Sequence, residues 1–296
     1  LQILPRHAIT ETMNKVLLSF GHGYSARALA RRLLLRGWRI LGTTRDPARA
    51  DRLRAEGVTP LLWDGDDVAG ALNEATHLLC SIAPAGPGDP VLARHRDAIA
   101  AAAPRLDWAG YLSTTGVYGD HQGRWVDEQT PLAPSTERGK RRVAAEAEWQ
   151  AIPGLPLHIF RLAGIYGPGR GPFEKVRHGT ARRIVKPGQV FSRIHVDDIA
   201  QVIEASIDRP RPGTAYNLCD DDPAPPQDVI AHAAELLGLP VPPEVPFDEA
   251  GMSPMARSFY AESKRVSNRR IKDELGVRLI HPDYRSGLRA LLAEKG

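Results

Sequence analysis

Cysteine is nearly absent from this chain: its 296 residues include only Cys80 and Cys219, and methionine is almost as rare, with three. Both thiols stand in apolar, strand-like stretches, which excludes a disulfide framework and a cysteine-built metal cluster. They point to a reducing compartment, the cytoplasm. Aromatic residues make up 6% of the chain and the basic residues are scattered. A net charge of +4 with no basic run and few rings to stack bases excludes a nucleic-acid groove. No apolar stretch approaches the roughly 20 residues of a membrane span. There is no internal repeat, no low-complexity tract and no metal site to be read. What is present is ordinary: 42% apolar and 25% charged residues, enough for one large α/β domain or a domain and a half. The partner that remains is a small molecule, and the mild positive balance suits an anionic one.

The most informative segment is an apolar run, Lys15 to Phe20, that breaks into Gly21-His22-Gly23-Tyr24-Ser25-Ala26 and then into a helical stretch from Arg27 to Arg36. A dinucleotide-binding turn needs this order. Gly21 permits the tight turn, Gly23 lets backbone approach a pyrophosphate, and Ala26 lets the helix pack on the strand. The helix N-terminus offers unpaired N–H groups and partial positive charge. A second strand, Trp38 to Leu41, leads to Gly42-Thr43-Thr44-Arg45-Asp46. An NAD site places a carboxylate at this tip for the ribose 2′-OH, whereas Thr44-Arg45 suits a 2′-phosphate. NADP(H) is therefore the expected cofactor, with NAD possible through Asp46. Beside Pro47, however, Asp46 also reads as a helix N-cap.

Up to residue 165 strands and helices alternate at parallel-crossover spacing, with strands at Val58–Leu62, His77–Ser81, Trp108–Ser113 and Leu157–Leu162. Helices are expected at Val68–Glu74, Pro90–Ala103 and Arg138–Gln150. The fold expected is α/β, a doubly wound parallel Rossmann sheet with a smaller C-terminal α/β lid. Residues 1–12 have no place in it and read as an N-terminal extension. Residues 13–165 read as the NAD(P)-binding part, and 166–296 as a substrate-side lid partly interleaved with the sheet. In the lid, strands are expected at Arg183–Val185, Val190–Val196 and Ala215–Leu218. Its helices are expected at Asp198–Ile207, Gln227–Leu237, Arg265–Leu275 and Tyr284–Leu292.

Five motifs in order carry a family resemblance: LSTTGVYGD at 112–120, RLAGIYGPGRG at 161–171, FSRIHVDDIAQVI at 191–203, AYNLCDDDP at 215–223 and SNRRIKDELG at 267–276. The chain resembles the extended short-chain dehydrogenase/reductases of the nucleoside-diphosphate-sugar epimerase/dehydratase type, in their atypical YeeZ-like branch. The resemblance covers about residues 13 to 293. It implies that Asp64 approaches the adenine and that Ser81, Ile82 and Ala83 line the adenosine ribose. It implies that Thr114 orients a substrate oxygen. It also implies a homodimer through the helices after the fourth and fifth strands, here rich in alanine.

The resemblance breaks at the proton donor. The family's Tyr-x-x-x-Lys pair falls on PSTERGKRRVAAEAEW, where matching RVAAE to the usual ending puts Arg138 at the Tyr position and Arg142 at the Lys position. Shifting the register to use Lys140 leaves Thr136 in the Tyr slot. Arg142 can supply the missing positive charge, but arginine does not exchange protons near neutrality. Substitutes must lie on loops facing the cofactor, so Tyr118, Tyr166 and His195 become candidates beside Thr114. A second departure is Phe191, which stands where nucleotide-sugar enzymes carry a pyrophosphate-gripping Arg; Arg193 lies two residues on. The expected function is an NAD(P)-dependent oxidoreductase or epimerase-like protein acting on a small carbonyl or hydroxyl compound, or on a nucleotide sugar, with an altered site. The alternative is a non-catalytic NADP(H)-binding sensor or scaffold.

Overall fold

The computed structural model describes residues 15–86 and 88–294; the proposed extension, residues 1–12, lies outside them. In chain order the elements are β1 (Val16–Phe20), α1 (Tyr24–Leu35), β2 (Arg39–Thr44), α2 (Pro47–Ala55), β3 (Thr59–Leu62), α3 (Val68–Glu74) and β4 (His77–Cys80). There follow α4 (Leu92–Ala102), β5 (Trp108–Thr114), β6 (Trp125–Val126), α5 (Glu137–Gln150), β7 (Leu157–Leu162) and β8 (Gly164–Tyr166). The remainder is α6 (Phe173–Arg177), β9 (Arg183–Val185), β10 (Arg193–His195), α7 (Val196–Asp208), β11 (Ala215–Leu218), α8 (Pro226–Leu236) and β12 (Glu244–Pro246). The chain then closes with α9 (Pro254–Phe259), β13 (Arg265–Val266), α10 (Arg269–Leu275) and α11 (Tyr284–Ala293).

Seven strands form one parallel sheet in the order β11-β7-β5-β4-β1-β2-β3. β1 and, after His77, β4 read as apolar or small-residue runs because helices cover both faces and every residue in them is buried. One face packs against α1 and α7, with Leu17, Leu29, Leu33, Ile199 and Ile203 at its centre. The other packs against α3, α4 and α5 through Leu18, Leu72, Ile99 and Trp149. From β1 the chain winds outward to β2 and β3, then crosses back to β4 on the other side. That reversal opens a crevice at the carboxyl ends of β1 and β4, where ligands bind in open α/β sheets.

β11, expected among the lid strands, is the sheet's edge and pairs with β7. Around the carboxyl ends lie three two-stranded parallel pairs, β10 with β8, β12 with β9 and β13 with β6. A third apolar cluster, including Phe173, Val229, Ala233 and Leu288, holds α6, α8 and α11 together. No helix among the described residues is long and apolar enough to cross a membrane.

Two segments differ from their sequence reading. Arg265 and Val266, expected as the first turn of a helix, form β13: Val266 N–H donates to Ser192 Oγ at 3.0 Å, and the helix begins at Arg269. The strand expected over Val190–Val196 shrinks to Arg193–His195, because Phe191 bridges antiparallel to Ala224 and His195 becomes the N-cap of α7. In both places a distant backbone partner outweighed local preference.

Candidate active site

Gly21 leaves β1 with φ of +73°, a conformation L side chains rarely adopt, and a Cβ there would stand 2.5 Å from Ile82 Cγ1. Its N–H donates to Thr43 Oγ1 at 2.8 Å, and His22 N–H donates to the Thr43 carbonyl at 3.0 Å. Ser81, at the end of β4, donates its hydroxyl to the Gly21 carbonyl and, at 3.2 Å, to that of Phe20. Ser81 and Ile82 thus hold the turn from below, while Ala83 beyond them is exposed. Gly23 caps α1 without any side-chain hydrogen bond, and the first turn carries no acid. The N–H groups of Tyr24, Ser25 and Ala26 therefore face the crevice with their partial positive charge uncancelled. Tyr24 reaches across to donate to the Pro168 carbonyl at 3.0 Å, tying this turn to the loop after β8.

At the tip of β2, Asp46 is occupied: its carboxylate accepts from Ala48 N–H at 3.0 Å as the N-cap of α2 and lies 3.6 Å from Arg49. Thr44 Oγ1 bonds back to the Asp46 backbone. Arg45 is exposed and makes no hydrogen bond or ion pair among the described residues. Asp64 accepts from Arg94 Nη1 at 2.6 Å, and that guanidinium stands 5.3 Å over the Trp63 ring.

A cavity of about 410 Å³ lies over the ends of β5 and β7, lined by Thr114, Arg138, Tyr166, Arg193, Glu262 and Lys264 together with an apolar wall. Thr114 is partly exposed to it, and its Oγ1 accepts from Gly116 N–H at 3.2 Å. Tyr166 is buried at its edge, 3.4 Å from the Asp283 carbonyl, and a Cβ on Gly287 would collide with its hydroxyl. Burial, with Asp220, Asp198 and Asp283 adding to it, drives the Tyr166 phenol well above its ordinary range. The phenol keeps its proton throughout the working pH range.

Two expected catalytic groups are placed elsewhere. Tyr118 is fully buried, donates to Asn217 Oδ1 at 2.7 Å and accepts from Arg161 Nη1 at 3.0 Å. Both capacities of the hydroxyl are taken, and burial pushes its pKa up to about 12. Arg142 points beneath α5, donating to the Leu112 carbonyl at 2.7 Å and to Tyr111 Oη at 3.0 Å. It braces helix to sheet and does not line the cavity. Of the four catalytic candidates, only Thr114 and Tyr166 reach it.

His195, the remaining candidate, is also buried. Its Nδ1 accepts from Asp197 N–H at 3.2 Å, and burial together with His281 lowers its pKa to about 4, so it is neutral at pH 7. His195, Asp197 and His281 bring potential metal-ligand atoms within 4.8 Å of one another. Asp197 and Asp198 stand in the first turn of α7, and Asp198 accepts from the N–H groups of Ile280 and His281.

Sequence reasoning missed three features. Under the cavity, Glu146 accepts from Ser113 and from Arg161 at 2.9 Å, with both charged side chains buried. Arg161 inside the apolar strand LHIFRL was the available signal, since a buried charge demands a partner. Lys264 donates to the Gly119 carbonyl at 2.6 Å and to Glu262 Oε2 at 2.7 Å, a pairing no local pattern announces. Asp220 is buried with no side-chain hydrogen-bond partner, and burial raises its pKa to about 8 against the pull of the Arg193 charge and of nearby backbone N–H groups. It borders a separate polar cleft of about 720 Å³ between β6 and α10, which none of the glycine-turn residues lines.

Fold and crevice together define a Rossmann-like α/β protein built as the nicotinamide-dependent epimerases are. The enzyme WbmG of Bordetella bronchiseptica, whose structure holds NAD and UDP, superposes with a TM-score of 0.73 at 19% identity, covering 94% of each chain. A functionally unknown conserved protein from Silicibacter pomeroyi DSS is 63% identical, with a TM-score of 0.91 over 95% of this chain and 99% of that one. Protein YeeZ of Escherichia coli K12 is 32% identical over 289 residues, spanning 92% of this chain and 97% of YeeZ. The chain belongs to the YeeZ family. No family model matches it.

Proposed function

We propose that this protein binds NADP(H) in the crevice at the end of β1 and acts as an oxidoreductase on a small carbonyl or hydroxyl compound seated in the cavity beside Thr114. The observation that carries the reading is the uncapped start of α1 behind Gly21 and Gly23, opening at the sheet's switch point. A pyrophosphate there meets backbone N–H donors and the positive helix end. Arg45, unpaired beside an Asp46 already spent as a cap, favours the 2′-phosphate over a free ribose hydroxyl. Asp64 lies on the adenine side, and Ser81, Ile82 and Ala83 on the ribose side. A bound nicotinamide would provide the hydride chemistry, while Thr114 orients the substrate oxygen and Tyr166 shapes the pocket edge. Residues 13–165 then serve as the dinucleotide part and 166–296 as the substrate side, in a cytoplasmic member of the atypical extended short-chain dehydrogenase/reductases.

Calorimetry on Arg45→Ala tests the cofactor assignment. A charge-assisted contact is worth about 1.5–3 kcal/mol, so NADP(H) should weaken by roughly 10- to 150-fold while NAD(H) barely changes. Equal weakening of both cofactors removes the assignment.

One observation favours the second reading, a non-catalytic NADP(H) sensor or scaffold: the positions of the family's proton-transfer pair hold Arg138 and Arg142, and Tyr118 is locked in the core. Carbonyl-dependent NADPH oxidation that disappears in Thr114→Val supports the enzyme. Cofactor binding without any turnover supports the module. We also propose a homodimer through α4 and α5, whose outer faces carry Ala93, Ala101, Ala144 and Ala147; a monomer mass by light scattering at micromolar concentration overturns it.

A further inference from the structure

The cavity beside Thr114 contains one charge with no counterpart. Lys264 is neutralised by Glu262, whose other carboxylate oxygen takes the Ser135 hydroxyl at 2.6 Å. Arg193 spends Nη1 on the carbonyls of Phe191 at 2.8 Å and Ala224 at 3.0 Å, and it faces the buried Asp220. Arg138 differs from both. It stands in the first turn of α5 on the solvent side of the cavity, its guanidinium 5.8 Å from the centre of the Phe259 ring. It makes no hydrogen bond or ion pair among the described residues. Arg142 and Arg170 add to the positive field around it, and Glu262, the carboxylate that offsets that field, is already held by Lys264.

The rest of the lining is largely apolar, with Leu162, Ile165, Val190, Phe191 and Phe259 contributing. Such a pocket, at about 410 Å³, has the size and character of small-ligand sites, in which a few polar groups fix the orientation of an apolar body. A guanidinium is a planar fork of donors that matches a carboxylate with two parallel hydrogen bonds. A single uncompensated guanidinium on an aromatic shelf best complements a monoanion with a flat apolar body. The start of α5 also borders the cavity, but its Gly139 N–H is taken by Thr136 and the cations Lys264 and Arg193 are engaged, which leaves one free guanidinium where phosphate groups are met by a cluster of them.

We propose that the cavity takes a small aromatic or conjugated monocarboxylate, its carboxylate forked by Arg138 and its body lying against Phe259 and Phe191. The proposal rests on the reading of this cavity as the substrate side of the dinucleotide site, and it gives a role to the arginine that replaces the expected tyrosine. Arg138 on this view anchors the substrate and moves no proton.

The test is calorimetry on the full chain with trans-cinnamate, cinnamamide and phenyl phosphate, each with and without saturating NADP⁺. Cinnamate should bind about 10- to 100-fold more tightly than cinnamamide. Arg138→Gln should erase that difference, and Arg138→Lys should keep part of it by retaining the charge. The proposal is overturned if the amide binds as well as the acid, if cinnamate does not bind at millimolar concentration, or if Arg138→Gln leaves its affinity unchanged. It is also overturned if phenyl phosphate binds more tightly than cinnamate, which would make the site one for phosphate esters. NADP⁺ binding in the same samples separates the failures: if NADP⁺ binds and cinnamate does not, only this inference falls, whereas failure of NADP⁺ itself strikes the cofactor reading.

Discussion

Gly21 combines two constraints that act at one atom. Its φ of +73° disfavours any L side chain, and Ile82 Cγ1 occupies the space a Cβ would need. Gly21→Ala should therefore cost about 1–3 kcal/mol of stability, through backbone strain and displacement of Ile82. It should weaken both NADP(H) and NAD(H), because on the proposed reading the turn serves the pyrophosphate common to the two. Thermal denaturation alongside calorimetry checks this; an alanine variant with wild-type affinity would mean that the pyrophosphate is not held at this turn. The contrast with Arg45 is one of position. On the proposed reading, Gly21 shapes the cradle and Arg45 reads a substituent.

α5 carries Arg138 and Arg142, and it is held from three directions. Thr136 caps it, accepting from Gly139 N–H at 3.1 Å. Arg142 ties it to the β5 backbone, and Glu146 meets Arg161 of β7 beneath the cavity. Removing one partner of a buried ion pair strands the other charge, at about 3–5 kcal/mol. Arg161→Met should lose that much in urea denaturation, since Glu146 would keep only its bond from Ser113 and Tyr118 would lose its donor. The double variant Arg161→Met with Glu146→Leu should recover most of it. An additive loss would show that the pair does not stabilise as a unit.

At the scale of the molecule, buried histidines make stability depend on acid. His22, His77 and His158 each have their pKa lowered from 6.5 to about 4, chiefly by burial. At His158 burial works against the Ala109 carbonyl, 3.2 Å from Nδ1, which favours the proton; Nε2 accepts from Arg211 N–H at 2.7 Å, a contact a second ring proton would break. The unfolded chain takes up protons below pH 6.5 that the native state refuses until about pH 4. Stability contributed by these groups is thus complete above pH 6.5 and falls as the pH drops to 4, by about 1–3 kcal/mol for each histidine. Asp220, raised to about 8, works in the opposite sense, losing stability as the pH rises from 3.8 to 8. His195, also lowered to about 4, makes four such histidines, and they outnumber Asp220 and the raised carboxyls of Asp198 and Glu128, which predicts a melting temperature that falls between pH 6.5 and 4. A flat profile over that range would mean that the histidines are protonated in the native state.

The sequence alone determined the parts whose physics is local. Hydrophobic runs, glycine turns and caps located β1, α3, β7 and β11 and the turn from Gly21 to Ala26, because a fully buried strand and a helix start each leave their mark within a few residues. The Asp46 cap was legible for the same reason. Pairing over long separations was not: β13 was read as helix because its partner, Trp125–Val126, lies about 140 residues away. Tyr118 and Arg142 looked available by spacing, and only tertiary packing turned one into the core against Asn217 and the other under α5. Conversely, Glu262 and Lys264 enter the cavity from a stretch with no motif. Which side chains face the same empty space depends on the whole packing, and short patterns along the chain do not encode it.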